Sequence, residues 1–219
     1  MPGDTYRVEA CECQGDLRRQ QRLAAAAIPK RYRHCTLDTF REKSTVLKNA
    51  KTRVREFVDL WPHTDEGKGL LLMGPCGVGK THLAVAALND IINAGKPGRL
   101  LFNNFQDLIQ EIQASFDADA PVSKSEIMRP LLEADLLVLD ELGSVKPTQF
   151  VQDILYYVIN TRYNEERTTI FTTNYFDRPA EAKDETLEAR IGTRLRSRLF
   201  EMSERIEITG ASDHRRMTL

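Results

Sequence analysis

Short apolar runs alternate with helix-like stretches between residues 69 and 208, and this alternation is the strongest pattern in the chain. Most of the runs are apolar or β-branched throughout, which is typical of buried strands. The predicted strands cover residues 69–73, 100–102, 136–140, 168–173 and 205–208. The helices predicted between them cover about 80–94, 105–115, 148–164 and 186–202. Buried strands separated by helices form a parallel sheet covered on both faces, so the pattern predicts an α/β fold.

The first 60 residues differ from the rest of the chain. Residues 16–28 are rich in alanine and predict a helix that ends before Pro29. A second helix is predicted over about 43–60, ahead of Trp61 and Pro62. We therefore expect a short helical leader over residues 1–60, followed by a core domain over residues 61–219.

The composition excludes several classes of protein. No apolar run approaches the roughly 20 residues that cross a bilayer, so we expect no membrane association. The N-terminus lacks the positive region and apolar stretch of a secretory signal. Four cysteines among 219 residues do not form a disulfide scaffold, which favours the reducing cytoplasm as the location of the protein.

The net charge of −1 hides an uneven distribution of charged residues. Residues 1–55 hold 13 lysines and arginines against 6 acidic residues, whereas the remaining chain holds 18 against 26. A basic arm on an acidic body suggests an anionic partner such as nucleic acid. A solvated basic helix without any partner explains the same charge equally well.

A glycine-rich segment lies between the first predicted strand of the core and the helix that follows it. It fits the pattern G-x-x-x-x-G-K-[ST] without a mismatch and consists of Gly74, Pro75, Cys76, Gly77, Val78, Gly79, Lys80 and Thr81. Its glycines let backbone N–H groups face a phosphate chain at the N-terminus of a helix. Lys80 would then reach the β- and γ-phosphates, and the hydroxyl of Thr81 would bind Mg²⁺. The strand–loop–helix context argues against a chance match.

Two adjacent acids, Asp140 and Glu141, end the most apolar strand, about 60 residues after Lys80. Beside a phosphate loop, Asp140 can hold Mg²⁺ directly or through water, and Glu141 can polarise a water aimed at the γ-phosphate. This arrangement favours hydrolysis over phosphate transfer, although two solvated acids are the alternative. Asn174 ends the strand at 168–173 and could lie beside Glu141 and orient the water, unless it only begins a turn.

With these elements in this order, the sequence resembles the AAA+ ATPases. More narrowly, it looks like the DnaC/DnaI-type replicative helicase loaders and their relatives, the IstB-type transposition ATPases. The resemblance covers about residues 28–217 and is most specific at Gly74–Thr81, Leu136–Gly143 and Thr172–Asn174. It implies a P-loop three-layer sandwich around a central parallel sheet, with little or no helical lid domain, and it implies ATP and Mg²⁺ as ligands.

The resemblance also assigns roles to arginines near the C-terminus. In the family, an arginine of the C-terminal helix reaches the ATP of the neighbouring subunit, and its position here implies Arg198, with Arg194 as the alternative. The other interpretation is an exposed basic face that pairs with Glu185, Glu188 and Glu201. Arg215 would be the second sensor arginine of the family.

The family resemblance carries an expectation of function. It implies an ATPase that loads a replicative helicase onto single-stranded DNA and assembles with itself when ATP is bound. The helix Phe105–Phe116 corresponds to the family's extra helix, which is implicated in assembly and single-stranded DNA binding. An IstB-like ATPase that assists a transposase on duplex DNA fits the same core. A metabolite kinase and a nucleotide-gated binding module are further alternatives, and Glu141 and Asn174 favour hydrolysis over the kinase.

A zinc site is a separate question, because Cys11 and Cys13 are similar to half of the zinc knuckle that some relatives carry. No C-x-x-C precedes them, and two ligands do not close a tetrahedral site even with His34 and Cys35. The sequence therefore does not favour zinc. An N-terminal segment missing from this sequence would explain both the half knuckle and the short leader.

Overall fold

The computed structural model describes residues 12–117, 119–178 and 184–209. The helices are α1 (Glu12–Ala25), α2 (Thr45–Leu60), α3 (Lys80–Asn93), α4 (Phe105–Ala114), α5 (Lys124–Glu133), α6 (Gln149–Asn164), α7 (Leu187–Ile191) and α8 (Thr193–Met202). The strands are β1 (Gly69–Met73), β2 (Leu100–Asn104), β3 (Leu136–Asp140), β4 (Thr168–Thr173) and β5 (Ser203–Glu207). Within the described ranges, no helix is both long enough and apolar enough to span a bilayer.

The described strands form one parallel sheet in the order β2-β3-β4-β1-β5. Strand β4 therefore lies between β1 and β3, with Met73 opposite Thr173 and Leu139 opposite Phe171. Because the strands are parallel, the carboxyl ends of β1, β4 and β3 meet at one edge of the sheet. This edge is where the fold class predicts ligand binding.

Both faces of the sheet are buried, as the apolar runs predict. In β1, Leu70 and Leu72 belong to an apolar cluster that includes the leader, with its helix α2, and α3. Leu71 and Met73 belong to a second apolar cluster, which includes residues of α4 to α8. Alternate side chains of a strand point to opposite faces, so a strand buried on both sides needs apolar residues throughout. The predicted three-layer α/β sandwich is confirmed.

The leader is attached to α3 by polar contacts as well as by apolar burial. Asn89 Nδ2 donates to the carbonyl oxygen of Cys35 at 2.7 Å, and the Leu37 N–H donates to Asp90 Oδ2 at 3.1 Å. Burial raises the pKa of the Asp90 carboxyl, and the Leu37 N–H opposes this change. The division at residues 1–60 and 61–219 stays a prediction.

Three helical elements differ from the sequence-based expectation, and the first is α1, which covers Glu12–Ala25 rather than residues 16–28. Helix α5 was not predicted, because Pro130 lies inside it and proline ordinarily breaks helices. Its sequence signal was a capping box, in which Ser123 and Glu126 each accept from the other's backbone N–H. The single helix predicted over 186–202 is two helices, because Gly192 adopts a φ of 83° between α7 and α8. The last strand also begins at Ser203, two residues before the predicted start.

A buried arginine holds the ends of several elements together. Arg162 on α6 is 1% exposed and donates to the carbonyl oxygens of Leu131, Ala134 and Thr168 and to Thr169 Oγ1 at 2.6–2.8 Å. Burial lowers the pKa of this guanidinium to about 9. The carbonyls of Leu131 and Ala134 end α5, so Arg162 satisfies acceptors that the helix itself leaves unpaired.

We expect Arg162→Met to lower the free energy of unfolding by about 3 kcal/mol, because it leaves several buried acceptors without donors. Arg167→Met is the matched control, since Arg167 is partly exposed and donates to the Glu133 carbonyl. The control should cost less than about 1 kcal/mol. Urea denaturation measures both values, and equal losses would contradict a special role for Arg162.

Candidate nucleotide site

A cleft at the carboxyl edge of the sheet contains most of the predicted site residues. Lys80, Thr81, Glu141 and Asn174 line it together with the phosphate loop. The leader adds Arg31 and Tyr32 to the same cleft. The sequence analysis did not single out these two residues as part of a site.

The phosphate loop has a conformation that depends on glycine. Gly77 and Gly79 have φ values of 80° and 100°, in the left-handed region that favours glycine. Gly79 also precedes the first residue of α3, and a Cβ at this position would lie 2.7 Å from the ring of Phe40. Close packing and backbone conformation therefore both require glycine here.

Lys80 points back into the loop and is 6% exposed. Its Nζ donates to the carbonyl oxygens of Gly74 and Pro75, each at 2.8 Å, and to Asn174 Oδ1 at 2.7 Å. Asn174 ends the neighbouring strand β4 and thus contacts the lysine of the phosphate loop. The order of the strands brings these two residues together across 94 residues of sequence.

Asp140 is 3% exposed at the end of β3. Its Oδ1 accepts hydrogen bonds from Thr81 Oγ1 at 2.9 Å and from Thr172 Oγ1 at 2.6 Å. Burial raises the pKa of the Asp140 carboxyl, and the two hydroxyls partly oppose this effect. The paired carboxylate and hydroxyl oxygens of Asp140 and Thr81 are ligands of the type that Mg²⁺ prefers, so these residues fit the metal implied by the resemblance.

Glu141 has a left-handed backbone with a φ of 59°. Its N–H donates to Thr172 Oγ1 at 2.9 Å, and its Oε2 accepts from Asn104 Nδ2 at 3.2 Å. Asn104 also caps α4, because its Oδ1 accepts from the Gln106 N–H. The asparagine that contacts Glu141 is therefore Asn104, which the sequence analysis missed. The available signal was an asparagine between a buried strand and a helix.

The arginines near the C-terminus have separate environments. Arg190 donates from Nε to the Gly143 carbonyl at 2.8 Å, and Arg196 forms a bidentate ion pair with Asp177. Arg194 is exposed, whereas the half-buried Arg198 lies over the rings of two tyrosines. Among the described residues, neither Arg194 nor Arg198 pairs with an acidic side chain.

The expected acidic partners of these arginines make other contacts. Glu185 pairs with Arg190, Glu188 approaches Arg196 at 3.8 Å, and Glu201 accepts from the hydroxyl of Tyr163 at 2.8 Å. Arg215 and Cys11 lie outside the described residues, as does the side chain of Cys13. The described cysteines are Cys35, which is buried, and Cys76, which is exposed.

Helix α4 has an exposed face without any cation. Its exposed side chains are Gln106, Asp107, Gln110, Glu111, Gln113 and Ala114. No lysine or arginine occurs between residues 100 and 123. Binding of a nucleic-acid backbone depends on cations that neutralise phosphates, and the side chains of this face supply none.

Comparisons with known proteins identify the family. The sequence profile of the IstB-like ATP binding protein family matches residues 8–218. The crystal structure of the DnaC helicase loader superposes with a TM-score of 0.72 and 35% identity, covering 83% of this chain and 100% of that one.

Two curated relatives represent the two branches of the resemblance. The replicative helicase loader DnaC of Buchnera aphidicola (subsp. Acyrthosiphon pisum) is 25% identical over 162 residues, covering 72% of this chain and 63% of the relative. The chain thus matches less than two thirds of that loader's length. A putative insertion sequence ATP-binding protein of Sinorhizobium fredii is 36% identical over 109 residues, covering 50% of this chain and 35% of the relative.

The family profile extends over nearly the whole chain, and in the fold one strand, β4, separates the strand of the phosphate loop from the acidic strand. The loader structure that superposes on the chain is matched over its full length. The chain therefore belongs to the IstB-like ATP-binding protein family, within the DnaC/IstB-type AAA+ ATPases.

Proposed function

We propose that this protein hydrolyses ATP and uses it to load a replicative helicase onto single-stranded DNA. The observation that carries the proposal is the common cleft of Lys80, Thr81 and Glu141, with Asp140 hydrogen-bonded to Thr81. Similarity to proteins named replicative helicase loaders supports the choice of partner. The proposed ligands are ATP and Mg²⁺.

The proposed chemistry follows from the contacts of each side chain. Backbone N–H groups of residues 76–81 bind the phosphates, and Lys80 Nζ exchanges carbonyl contacts for β- and γ-phosphate oxygens. Mg²⁺ held by Thr81 and Asp140 supplies charge neutralisation at these oxygens. Glu141 accepts the proton of the attacking water, with its carboxylate positioned by Asn104.

One asparagine and two arginines complete the proposed site. Asn174 keeps Lys80 in place through Oδ1 and orients the attacking water. Arg198 stabilises charge on the γ-phosphate of the ATP that is bound to a neighbouring subunit. This role requires the protein to form a homo-oligomer when ATP is bound. The lack of an acidic partner for Arg198 among the described residues supports this role, since an ion pair would compete with phosphate. Arg215 is proposed as the second sensor.

The proposed contact with DNA is assigned to the basic leader rather than to α4. Arg18 and Arg19 are exposed on α1, while the exposed face of α4 is acidic or neutral. Cations on α1 can neutralise phosphates, and carboxylates on α4 would repel them.

A second candidate function is an ATPase that assists a transposase on duplex DNA. The match to the IstB-like family profile and the 36% identity to the Sinorhizobium fredii insertion-sequence protein favour it. Both candidates share the ATPase site. They differ in the DNA form that should stimulate it, so measuring ATP hydrolysis with single-stranded and with duplex DNA separates them.

The first prediction from the proposed function concerns the general base. Glu141→Gln should bind ATP normally and hydrolyse it roughly 10²–10⁴-fold more slowly, because the amide fills the same space but cannot accept the proton. Steady-state phosphate release and titration with a fluorescent ATP analogue measure the two effects. Glu111→Gln, on the exposed face of α4, is the control and should hydrolyse at the wild-type rate. Near-normal hydrolysis by Glu141→Gln would assign the base elsewhere.

The second prediction tests whether Arg198 acts across a subunit boundary. Arg198→Ala should bind ATP but lose roughly 10³-fold or more of its hydrolysis, as known arginine fingers do. Lys80→Met should lose phosphate binding. Mixing the two variants should restore part of the activity at junctions where an intact finger meets an intact loop, and the recovery should rise with protein concentration. If ATP hydrolysis recovers when Lys80→Met is mixed with Arg194→Ala but not when it is mixed with Arg198→Ala, the arginine finger is Arg194.

The third prediction concerns DNA. Replacing Arg18 and Arg19 with glutamine should weaken single-strand binding and reduce the salt slope by roughly 1.4, because each neutralised phosphate of a single strand contributes about 0.7. Arg53 and Arg55 provide the control pair, because their ion pairs with Glu204 and Asp38 join them to other segments of the chain, whereas the ion pair of Arg19 with Asp16 lies within the exposed face of α1. Fluorescence anisotropy across a salt series measures the slope. An unchanged salt slope after replacement of Arg18 and Arg19 would contradict the assigned DNA contact. Stronger binding of the protein to duplex DNA, with stronger stimulation of ATP hydrolysis, would favour the transposase partner.

A further inference from the structure

Thr172 makes a pair of contacts that the sequence motifs do not explain. It is fully buried near the end of β4, between β1 and β3. Its Oγ1 donates to Asp140 Oδ1 at 2.6 Å and accepts from the Glu141 N–H at 2.9 Å. One hydroxyl therefore binds two adjacent residues, the proposed metal ligand through its side chain and the proposed base through its backbone.

The hydrogen bond to the backbone of Glu141 lies at a residue whose backbone conformation is unfavourable. Glu141 is not glycine, yet its φ is 59°, a conformation that L-residues rarely adopt. The Thr172 hydroxyl accepts the Glu141 N–H, and the Thr172 carbonyl accepts the Leu142 N–H at 2.7 Å. The hydroxyl and the carbonyl of Thr172 thus both hold the turn that directs the Glu141 side chain into the cleft.

The contact to Asp140 fixes the direction of its carboxylate. Oδ1 accepts from both Thr81 and Thr172, so the plane of the carboxylate is determined from two sides. Oδ2 accepts no hydrogen bond from the described residues, which leaves this oxygen available for a cation or its water. Without the Thr172 hydroxyl, Thr81 would be the one remaining hydrogen-bond donor to the Asp140 carboxylate within the described part of the chain, and Thr81 is itself a proposed metal ligand.

We propose that Thr172 is a positioning residue for ATP hydrolysis, whose hydroxyl fixes Asp140 for Mg²⁺ and Glu141 for the attacking water. This inference rests on the proposed ATPase function and adds a residue to it. Threonine is common in strands because its branched side chain packs well, and packing alone would be served equally by valine. Only the hydroxyl can donate to one acid and accept from the next.

The neighbouring Thr173 provides a matched control on the same strand. It is also fully buried, and its Oγ1 donates to the Leu142 carbonyl at 2.8 Å. Thr173 thus supports the same turn but its hydroxyl contacts neither acid. Removing the hydroxyl at either position breaks buried hydrogen bonding, whereas only the change at Thr172 affects Asp140 and Glu141 directly.

The experiment compares Thr172→Val, Thr172→Ser and Thr173→Val with the wild type. Binding of a non-hydrolysable ATP analogue is titrated at increasing Mg²⁺, kcat and KM are measured at saturating Mg²⁺, and thermal midpoints are recorded without nucleotide. Thr172→Val should need about 10- to 100-fold more Mg²⁺ for half-maximal binding and should lose kcat by a similar factor, as is typical when a residue that orients a metal ligand is removed. Its KM for Mg-ATP should stay near the wild-type value.

The remaining variants separate positioning from packing. Thr172→Ser retains the hydroxyl and should recover most of the Mg²⁺ affinity and kcat. Thr173→Val should keep both even where its thermal midpoint falls. If Thr172→Val does not fold, Thr172→Ala replaces it, since alanine also lacks the hydroxyl and demands less space.

Three results would overturn the inference. They are a wild-type Mg²⁺ requirement and kcat in Thr172→Val, an equal defect in Thr172→Ser, and an equal defect in Thr173→Val. A wild-type protein that shows no Mg²⁺-dependent binding of the ATP analogue would instead overturn the proposed function, so the two failures are distinguishable.

Discussion

The position of β4 between β1 and β3 is the constraint on which the site depends. Its last two residues hold both neighbouring loops, because the Gly74 N–H donates to the Thr173 carbonyl and the Leu142 N–H donates to the Thr172 carbonyl. The phosphate loop and the acidic turn are thus attached to the same strand end. Parallel pairing on both sides of β4 keeps them at a fixed separation, which a pair of flexible loops would not provide.

The parts of this arrangement that the sequence predicts are those with local signals. Runs such as residues 69–73 and 136–140 identify strands because burial on both faces requires apolar residues throughout. The spacing of the glycines, Lys80 and Thr81 within Gly74–Thr81 identifies the phosphate loop. The order of the strands has no such signal, since the pairing of β4 with β1 joins segments about a hundred residues apart. The contacts of Asn104 and Asn174 follow from that order, and the sequence therefore could not assign each asparagine to its partner.

The arginines of α7 and α8 illustrate a second limit of prediction. Along the sequence, Arg190, Arg194, Arg196 and Arg198 look alike, because each is a cation on a short helical segment. Their environments differ through residues that are distant in the chain. The acceptor of Arg190 is the carbonyl of Gly143, 47 residues away, and the partner of Arg196 is Asp177. Only tertiary contacts distinguish an arginine that holds a loop from one that can reach another molecule.

The packing of the leader on α3 has a consequence for how this protein can be divided. Ala26, Ile28, Leu37 and Phe40 are at most 6% exposed and cover the apolar side of the phosphate-loop helix. A polypeptide shortened to begin at residue 61 would bring water to that side, at a cost of about 1.5–3 kcal/mol for each large apolar side chain uncovered. It would also remove the ring that packs against Gly79. The conformation of the phosphate loop therefore depends on packing by the leader as well as on the core, and the core cannot be separated from the leader without changing the loop.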